Sequence, residues 1–191
     1  MSCFGCGGET LQDIMAEMGQ PMKPGQRPSG VFLWRSIDPG IESRIAATLR
    51  MMKGTPYRSN GRVIGEGLDC RTSVVAFFDT MYRRERSELV AVPQDAGYHG
   101  SELSKRAMKQ MIRLSDSREV GSEGYIEPGD IVCTRGNAED ESTHAAHAMI
   151  AGIEANTVWH ASMDGTAFSR SSLAVGGRVV AVYRPEKQSW H

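Results

Sequence analysis

The stretch Gly67-Leu-Asp-Cys-Arg-Thr-Ser-Val-Val75 joins a glycine-rich loop to the start of an apolar helix. Apolar residues recur there at helical spacing, at Val74, Phe77, Phe78 and Met81, which predicts a buried helix over about 69–84. Cys70 then lies in the first turn, where unpaired backbone N–H groups and the helix dipole favour a thiolate and lower the thiol pKa. The same N–H groups can stabilise an oxyanion. Cys70 is therefore a candidate nucleophile, with a buried structural cysteine as the alternative.

Two histidines downstream could serve a cysteine nucleophile, which needs a base and a third group that orients the base. His147 opens the apolar strand His-Ala-Met-Ile-Ala-Gly152, and His160 lies 13 residues later in the next strand. This separation suits neighbouring antiparallel strands, so we predict that His147 faces Cys70 and that His160 holds His147. The rival base His144 lies at an odd offset, on the opposite strand face or in the preceding loop. The alternative is that each histidine is a half-buried strand residue satisfied by a carbonyl.

The order of the predicted elements indicates an α+β fold, with N-terminal helices packed on a central antiparallel sheet. Helices are predicted first, at 10–18, from Asp38-Pro39 to Gly54, at 69–84 and through 103–111. Strands are predicted at 31–34, 131–134, 145–153, 157–161 and 178–183. Residues 20–30 are rich in proline and glycine. We therefore divide the chain into an extension at 1–36, an arm with a short helix, and a domain at 37–191.

Composition excludes several classes of protein. The 191 residues carry 22 Lys+Arg and 23 Asp+Glu, and this balance argues against a broad nucleic-acid-binding surface. No apolar run approaches the roughly 18 residues of a membrane span. The first residues also lack the basic start and apolar stretch of a secretory signal, so we expect synthesis in a reducing cytoplasm without disulfides.

The remaining cysteines carry weaker signals. Cys3 and Cys6 have the spacing of half a zinc ribbon, but no second Cys/His pair completes it. Cys133 lies in a predicted strand and is expected in the core. We expect no metal and no other cofactor.

Five short motifs, taken in order, resemble the NlpC-type cell-wall peptidases, a family of papain-like cysteine hydrolases. They are Gly54-Thr-Pro-Tyr57, Asp69-Cys70, Pro128-Gly129-Asp130, His147-Ala-Met-Ile150 and His160. The resemblance spans roughly residues 45–183. The cysteine precedes the histidines, which separates the chain from circularly permuted relatives of the family.

The resemblance implies a thiol hydrolase that cleaves an amide bond in peptidoglycan stem peptides. Cys70 would be the nucleophile, His147 the general base and then acid, and His160 the orienting residue. The implied substrate-binding residues are Tyr57, which would line the cleft, together with Asp69 and Arg71. Asp69 would act more in capping the helix or tying the loop than in contacting the reacting atoms. Arg71-Thr72 replaces the family's usual Ser-Gly, so cleavage specificity is open and Arg71 would suit an acidic group on the ligand.

Two other functions stay open at this point. Phage tails commonly carry domains of this family, and the arm at 1–30 is suited to lying along tail-tip or baseplate proteins. The chain could then be a virion protein, either as a hydrolase or as a structural component that keeps the fold without activity. The changed Arg71-Thr72 also leaves open a cytosolic thiol amidase or acyltransferase acting on a substrate outside the cell wall.

Overall fold

A computed structural model describes residues 32–83, 117–120, 124–135, 147–161, 167–176, 178–187 and 190. Several predictions lie outside these residues. They are the helices at 10–18 and 103–111, the pair Cys3 and Cys6, and His144. Within the described ranges, no helix is long and apolar enough to cross a membrane.

The first described helix, α1 (Pro39–Met52), begins where the sequence predicts. The Asp38 carboxylate caps it by accepting hydrogen bonds from the backbone N–H groups of Gly40 and Ile41. Pro39 occupies the first helical position, where its missing N–H costs nothing. The helix ends before Gly54, whose φ of +85° is a conformation that favours glycine.

The second helix, α2 (Cys70–Met81), is buried along almost its whole length. Asp69 is its N-cap: the carboxylate accepts from the N–H groups of Arg71 and Thr72, while the Thr72 hydroxyl bonds back to the Asp69 N–H. This reciprocal pair is a capping box. The helix ends three residues before the predicted Arg84, because the chain turns at Tyr82 and Arg83 has a positive φ of 50°.

The strands are β1 (Leu33–Trp34), β2 (Arg62–Val63), β3 (Gly67–Leu68), β4 (Ser117–Glu119), β5 (Tyr125–Ile126), β6 (Ile131–Arg135), β7 (His147–Ala151), β8 (Thr157–His160), β9 (Ser169–Ser172) and β10 (Arg178–Pro185). Six of them form one antiparallel sheet in the order β4-β10-β6-β7-β8-β9. The predicted α+β fold with a central antiparallel sheet is confirmed. Two small pairs are separate: β1 lies parallel to β5, and β2 and β3 form a hairpin in the glycine-rich loop.

The two faces of the sheet bury different clusters, because side chains alternate along each strand. One face packs on the helices through Cys133, Ala148 and Ile150. The other face carries Val132, Met149, Val158 and Val182, and it is covered by Phe32 and Ile126. The prediction that Cys133 lies in the core is confirmed, since its side chain is fully buried.

The Pro128-Gly129-Asp130 turn that introduces β6 is fixed by buried charge. The Asp130 carboxylate is fully buried and pairs with Arg184 at 2.8 Å and with Lys187 at 3.0 Å. Burial alone would lower the pKa of the Arg184 guanidinium, but its hydrogen bonds to Asp130 and the carboxylate charge outweigh burial and raise it. The motif therefore ties the start of β6 to the end of β10.

Candidate active site

Cys70 is the first residue of α2 and is 8% exposed. Its sulfur lies against two backbone N–H groups, those of Ala148 and of Cys70 itself. Ala148 follows His147 directly in β7, so this contact places the thiol beside the start of that strand. The helix start and the strand start, 77 positions apart in the chain, therefore meet at one point.

The environment of Cys70 raises the pKa of its thiol to about 11. Burial is the largest cause, and the neighbouring Asp69 carboxylate adds to it. The N–H groups and Arg71 lower the pKa, but by less. The expectation of a lowered thiol pKa was therefore wrong in direction, because desolvation of the sulfur by the folded domain exceeds the effect of the helix start. At neutral pH the resting thiol keeps its proton.

The two predicted strand histidines are brought together. Nε2 of His147 lies 2.7 Å from Nδ1 of His160, and the rings meet edge to face at 82°. The antiparallel pairing of β7 with β8, which includes Ile150↔Trp159, brings the two strand ends that carry the histidines close together. His160 follows Trp159 directly, and His147 lies three residues before Ile150, so both histidines lie just beyond the paired part of the two strands. The predicted antiparallel neighbours, joined by a short turn, are what the structure has.

A residue that the sequence analysis missed stands next to this pair. The Ser171 hydroxyl oxygen of β9 lies 2.9 Å from Nε2 of His160. The strand Ser169–Ser172 contains no apolar residue, so its sequence gives no hydrophobic period from which to predict a strand. Only the pairing of β9 with β8 brings Ser171 to the histidine.

Asp69 ties the glycine-rich loop to the helix start. One carboxylate oxygen caps α2, and the other accepts from the backbone N–H of Asn60, whose φ is +55°. The prediction that Asp69 caps the helix and ties the loop is confirmed. Arg71 is also buried, and its guanidinium bonds to Asp69 at 3.3 Å and to the side-chain oxygen of Asn60 at 3.1 Å. Contact of either residue with a substrate stays a prediction.

Tyr57 belongs to the same site. Its backbone forms a parallel bridge with Leu68, two residues before Cys70. The pKa of its phenol is raised, first by burial and then by the charges of Cys70 and Asp69, while Arg71 opposes them. Tyr57 is half-buried and close enough to Cys70 for their charges to interact, and its role in lining the cleft stays a prediction. Among the described residues, no three His, Cys, Asp or Glu side chains are grouped as they would be around a metal ion.

Comparison with solved structures supports this fold. A lipoprotein-like NLP/P60 family protein from Staphylococcus aureus aligns at a TM-score of 0.50 and 15% identity, over 83% of this chain and 44% of that chain. NlpC2 from Trichomonas vaginalis aligns at a TM-score of 0.51 and 15% identity, over 81% of this chain and 49% of that chain. The chain thus spans about half the length of each. No family model and no curated protein sequence matches.

The likeness shows that the chain has the fold of NlpC/P60 proteins, as the motifs predicted. At 15% identity it establishes the fold alone, and the chemistry of the site has to be argued from the residues described above.

Proposed function

We propose that the protein is a thiol hydrolase that cleaves an amide bond in peptidoglycan stem peptides. One observation carries the proposal: a cysteine at the start of a buried helix lies against the strand that begins with His147, and His147 bonds to a second histidine. A nucleophile, a base and an orienting group are the three parts that covalent amide hydrolysis needs. The NlpC/P60 fold supports the choice of reaction.

In the proposed reaction, the Cys70 sulfur attacks the carbonyl carbon of the amide while His147 takes the thiol proton. The backbone N–H of Cys70 at the helix start would stabilise the oxyanion, and the Tyr57 hydroxyl would stand close to it. His147 then gives its proton to the leaving amine, the C–N bond breaks, and a thioester remains on Cys70. Water, deprotonated by His147, releases the acid and restores the thiol.

The raised pKa of the Cys70 thiol constrains the order of these reaction steps. Because the resting thiol is neutral, proton transfer to His147 has to accompany attack on the bound substrate. The enzyme would therefore differ from cysteine hydrolases that keep a thiolate at rest.

The experiment is hydrolysis of purified cell wall and of defined muropeptides, with products identified by mass spectrometry. Cys70→Ala should abolish product formation and leave the thermal unfolding of the domain nearly unchanged. Cys133→Ala, which removes the other buried cysteine of the described residues, should keep the activity of whatever fraction folds. Unchanged hydrolysis by Cys70→Ala would overturn the mechanism. Cleavage of a non-wall amide but no muropeptide would instead indicate the thiol amidase or acyltransferase alternative.

A second candidate is a structural component of a phage tail that keeps this fold without activity; the Cys70 thiol supports only the lack of activity, and the tail location comes from the sequence analysis. A buried thiol whose pKa is raised to about 11 is poorly suited to unassisted attack. In that case wild type and Cys70→Ala would both be inactive on cell wall, and the protein would co-sediment with intact virions. A hydrolase carried on the tail would also co-sediment, but it would release muropeptide products that Cys70→Ala does not.

A further inference from the structure

We infer that Ser171 is a positioning residue: its hydroxyl accepts a hydrogen bond from Nε2 of His160 and thereby stabilises, in His160 and through it in His147, the Nε2-protonated tautomer that the proposed base role requires. This inference deepens the proposed function and rests on it for its catalytic consequence. Its structural part, the two contacts that join His147, His160 and Ser171, stands on the geometry of β7, β8 and β9; the direction of proton donation along them follows from the proposed base role.

The geometry is a row of three side chains across three neighbouring strands. Nε2 of His147 meets Nδ1 of His160 at 2.7 Å, and Nε2 of His160 meets the Ser171 hydroxyl oxygen at 2.9 Å. His160 is 5% exposed, so both of its ring nitrogens depend on protein partners. A hydrogen bond between two ring nitrogens needs one N–H and one lone pair, so the first contact has a direction.

The proposed base role sets that direction. To accept the Cys70 proton, a neutral His147 needs a lone pair on Nδ1, because Nε2 is already turned toward His160. Its proton then resides on Nε2 and is donated to Nδ1 of His160. A neutral His160 with a lone pair on Nδ1 carries its own proton on Nε2 and donates it to the Ser171 oxygen. The donor and the acceptor in each hydrogen bond from His147 through His160 to Ser171 are thereby determined.

The same arrangement serves both halves of the reaction. When His147 takes the thiol proton on Nδ1, it becomes an imidazolium and still donates from Nε2 to His160. When it gives that proton to the leaving amine, the original tautomer returns. No ring has to rotate, so Ser171 would keep His147 oriented through the whole cycle.

The sheet holds Ser171 in position. The register His160↔Ser169 and Val158↔Ser171 makes Ser171 the diagonal neighbour of His160 on the same face. Ser172, the next residue, points to the other face and is exposed; its oxygen accepts from the Ala174 backbone N–H at 3.4 Å. Ser172→Ala is therefore a matched control that removes a hydroxyl from the same strand without touching the histidines.

The test is a long-range ¹H–¹⁵N NMR experiment on the full chain, which reports the tautomer of each histidine. Wild type, Ser172→Ala and Ser171→Thr should show His147 and His160 protonated on Nε2. Ser171→Ala should show His160 with mixed tautomers. Protonation of His160 on Nδ1 in wild type, or an unchanged His160 spectrum in Ser171→Ala, would overturn the inference.

Activity provides the second measurement. Ser171→Ala should lower kcat on muropeptides by roughly tenfold with KM nearly unchanged, and Ser171→Thr should restore most of it. Ser171→Ala with wild-type kcat would overturn the catalytic part. If wild type itself hydrolyses nothing, the proposed function fails, while the NMR spectra still decide whether Ser171 fixes the histidines.

Discussion

Asp69 acts on Cys70 in two opposed ways, and this shapes the chemistry of the site. Its carboxylate forms the helix start that carries the nucleophile, which the fold needs. The same negative charge, one residue from the sulfur, raises the pKa of the thiol. The Arg71 guanidinium is bonded to this carboxylate and offsets part of its effect on the sulfur. The loop, the cap and the thiol are thus one electrostatic unit.

Asp69→Asn should therefore make Cys70 more reactive. Asparagine keeps the helix cap through its side-chain oxygen, removes the carboxylate charge and leaves Arg71 to lower the thiol pKa. Its amide nitrogen does not accept the hydrogen bonds that Asn60 and Arg71 donate to Asp69, so thermal unfolding of the variant is measured alongside. Because iodoacetamide reacts with the thiolate, wild-type Cys70 should be alkylated faster as pH rises from 7 toward 11. The variant's profile should shift to lower pH, with alkylation about tenfold faster at pH 8.

Peptide mass spectrometry would follow Cys70 separately from the other cysteines. Asp79→Asn is the matched control: it removes the same charge from the same helix, at a position nine residues or roughly 13 Å beyond Cys70. Its alkylation profile should match that of wild type. An alkylation profile that shifts to higher pH in Asp69→Asn, or that shifts by the same amount in both variants, would contradict the assignment of Asp69 as a cause of the raised pKa of Cys70.

Among the elements, those with strong local signals could be predicted from the sequence, and those made by pairing could not. Both helices were predicted because Asp38 and Asp69 cap them and apolar residues recur at helical spacing. The strands β6, β7, β8 and β10 are apolar enough to be recognised. In contrast, β2, β3, β4 and β5 have only two or three residues, and β9 contains no apolar residue, so only their pairing with neighbouring strands identifies them.

The same distinction between local signals and strand pairing applies to the residues of the candidate site. The sequence indicated Cys70 and its histidines, because a capped helix start and two strands of matched spacing are local features. Ser171 and the raised thiol pKa could not be predicted, since one depends on the pairing of β9 and the other on burial by the whole domain.

The buried ion cluster at the turn before β6 leads to a prediction about the stability of the domain. Asp130→Asn removes the carboxylate that pairs with both buried cations, Arg184 and Lys187, while their ion pairs with Glu127 stay. Removing one partner of a buried ion cluster costs about 3–5 kcal/mol of unfolding free energy. Urea unfolding should therefore show a loss of this size.

The exposed ion pair between Glu154 and Arg170, at 2.7 Å, provides the control. Both side chains are more than half exposed, so Glu154→Gln should change the unfolding free energy by less than about 1 kcal/mol. Equal losses in the two variants would show that burial of the Asp130 cluster adds nothing to its contribution.

The contacts of residues 32–34 bear on where the N-terminal extension ends. The sequence places the division between residues 36 and 37, and that division stays a prediction. Yet β1 pairs with β5, the Trp34 indole N–H donates to the Gly152 carbonyl oxygen at 3.3 Å, and Phe32 packs into the cluster on the far face of the sheet. The last residues of the extension therefore stabilise the domain through these contacts.

Phe32→Ala in the full chain tests this directly. Phe32 is 9% exposed and packs with Ile126 and Met149, so truncation removes buried apolar area and should cost about 3 kcal/mol of unfolding free energy. The neighbouring Leu33 is 47% exposed, and Leu33→Ala should cost less than about 1 kcal/mol. Urea unfolding, followed by the fluorescence of the tryptophans, would measure both. If residues up to 36 formed an arm independent of the domain, Phe32→Ala would unfold at the wild-type midpoint, and the boundary would stand where the sequence places it.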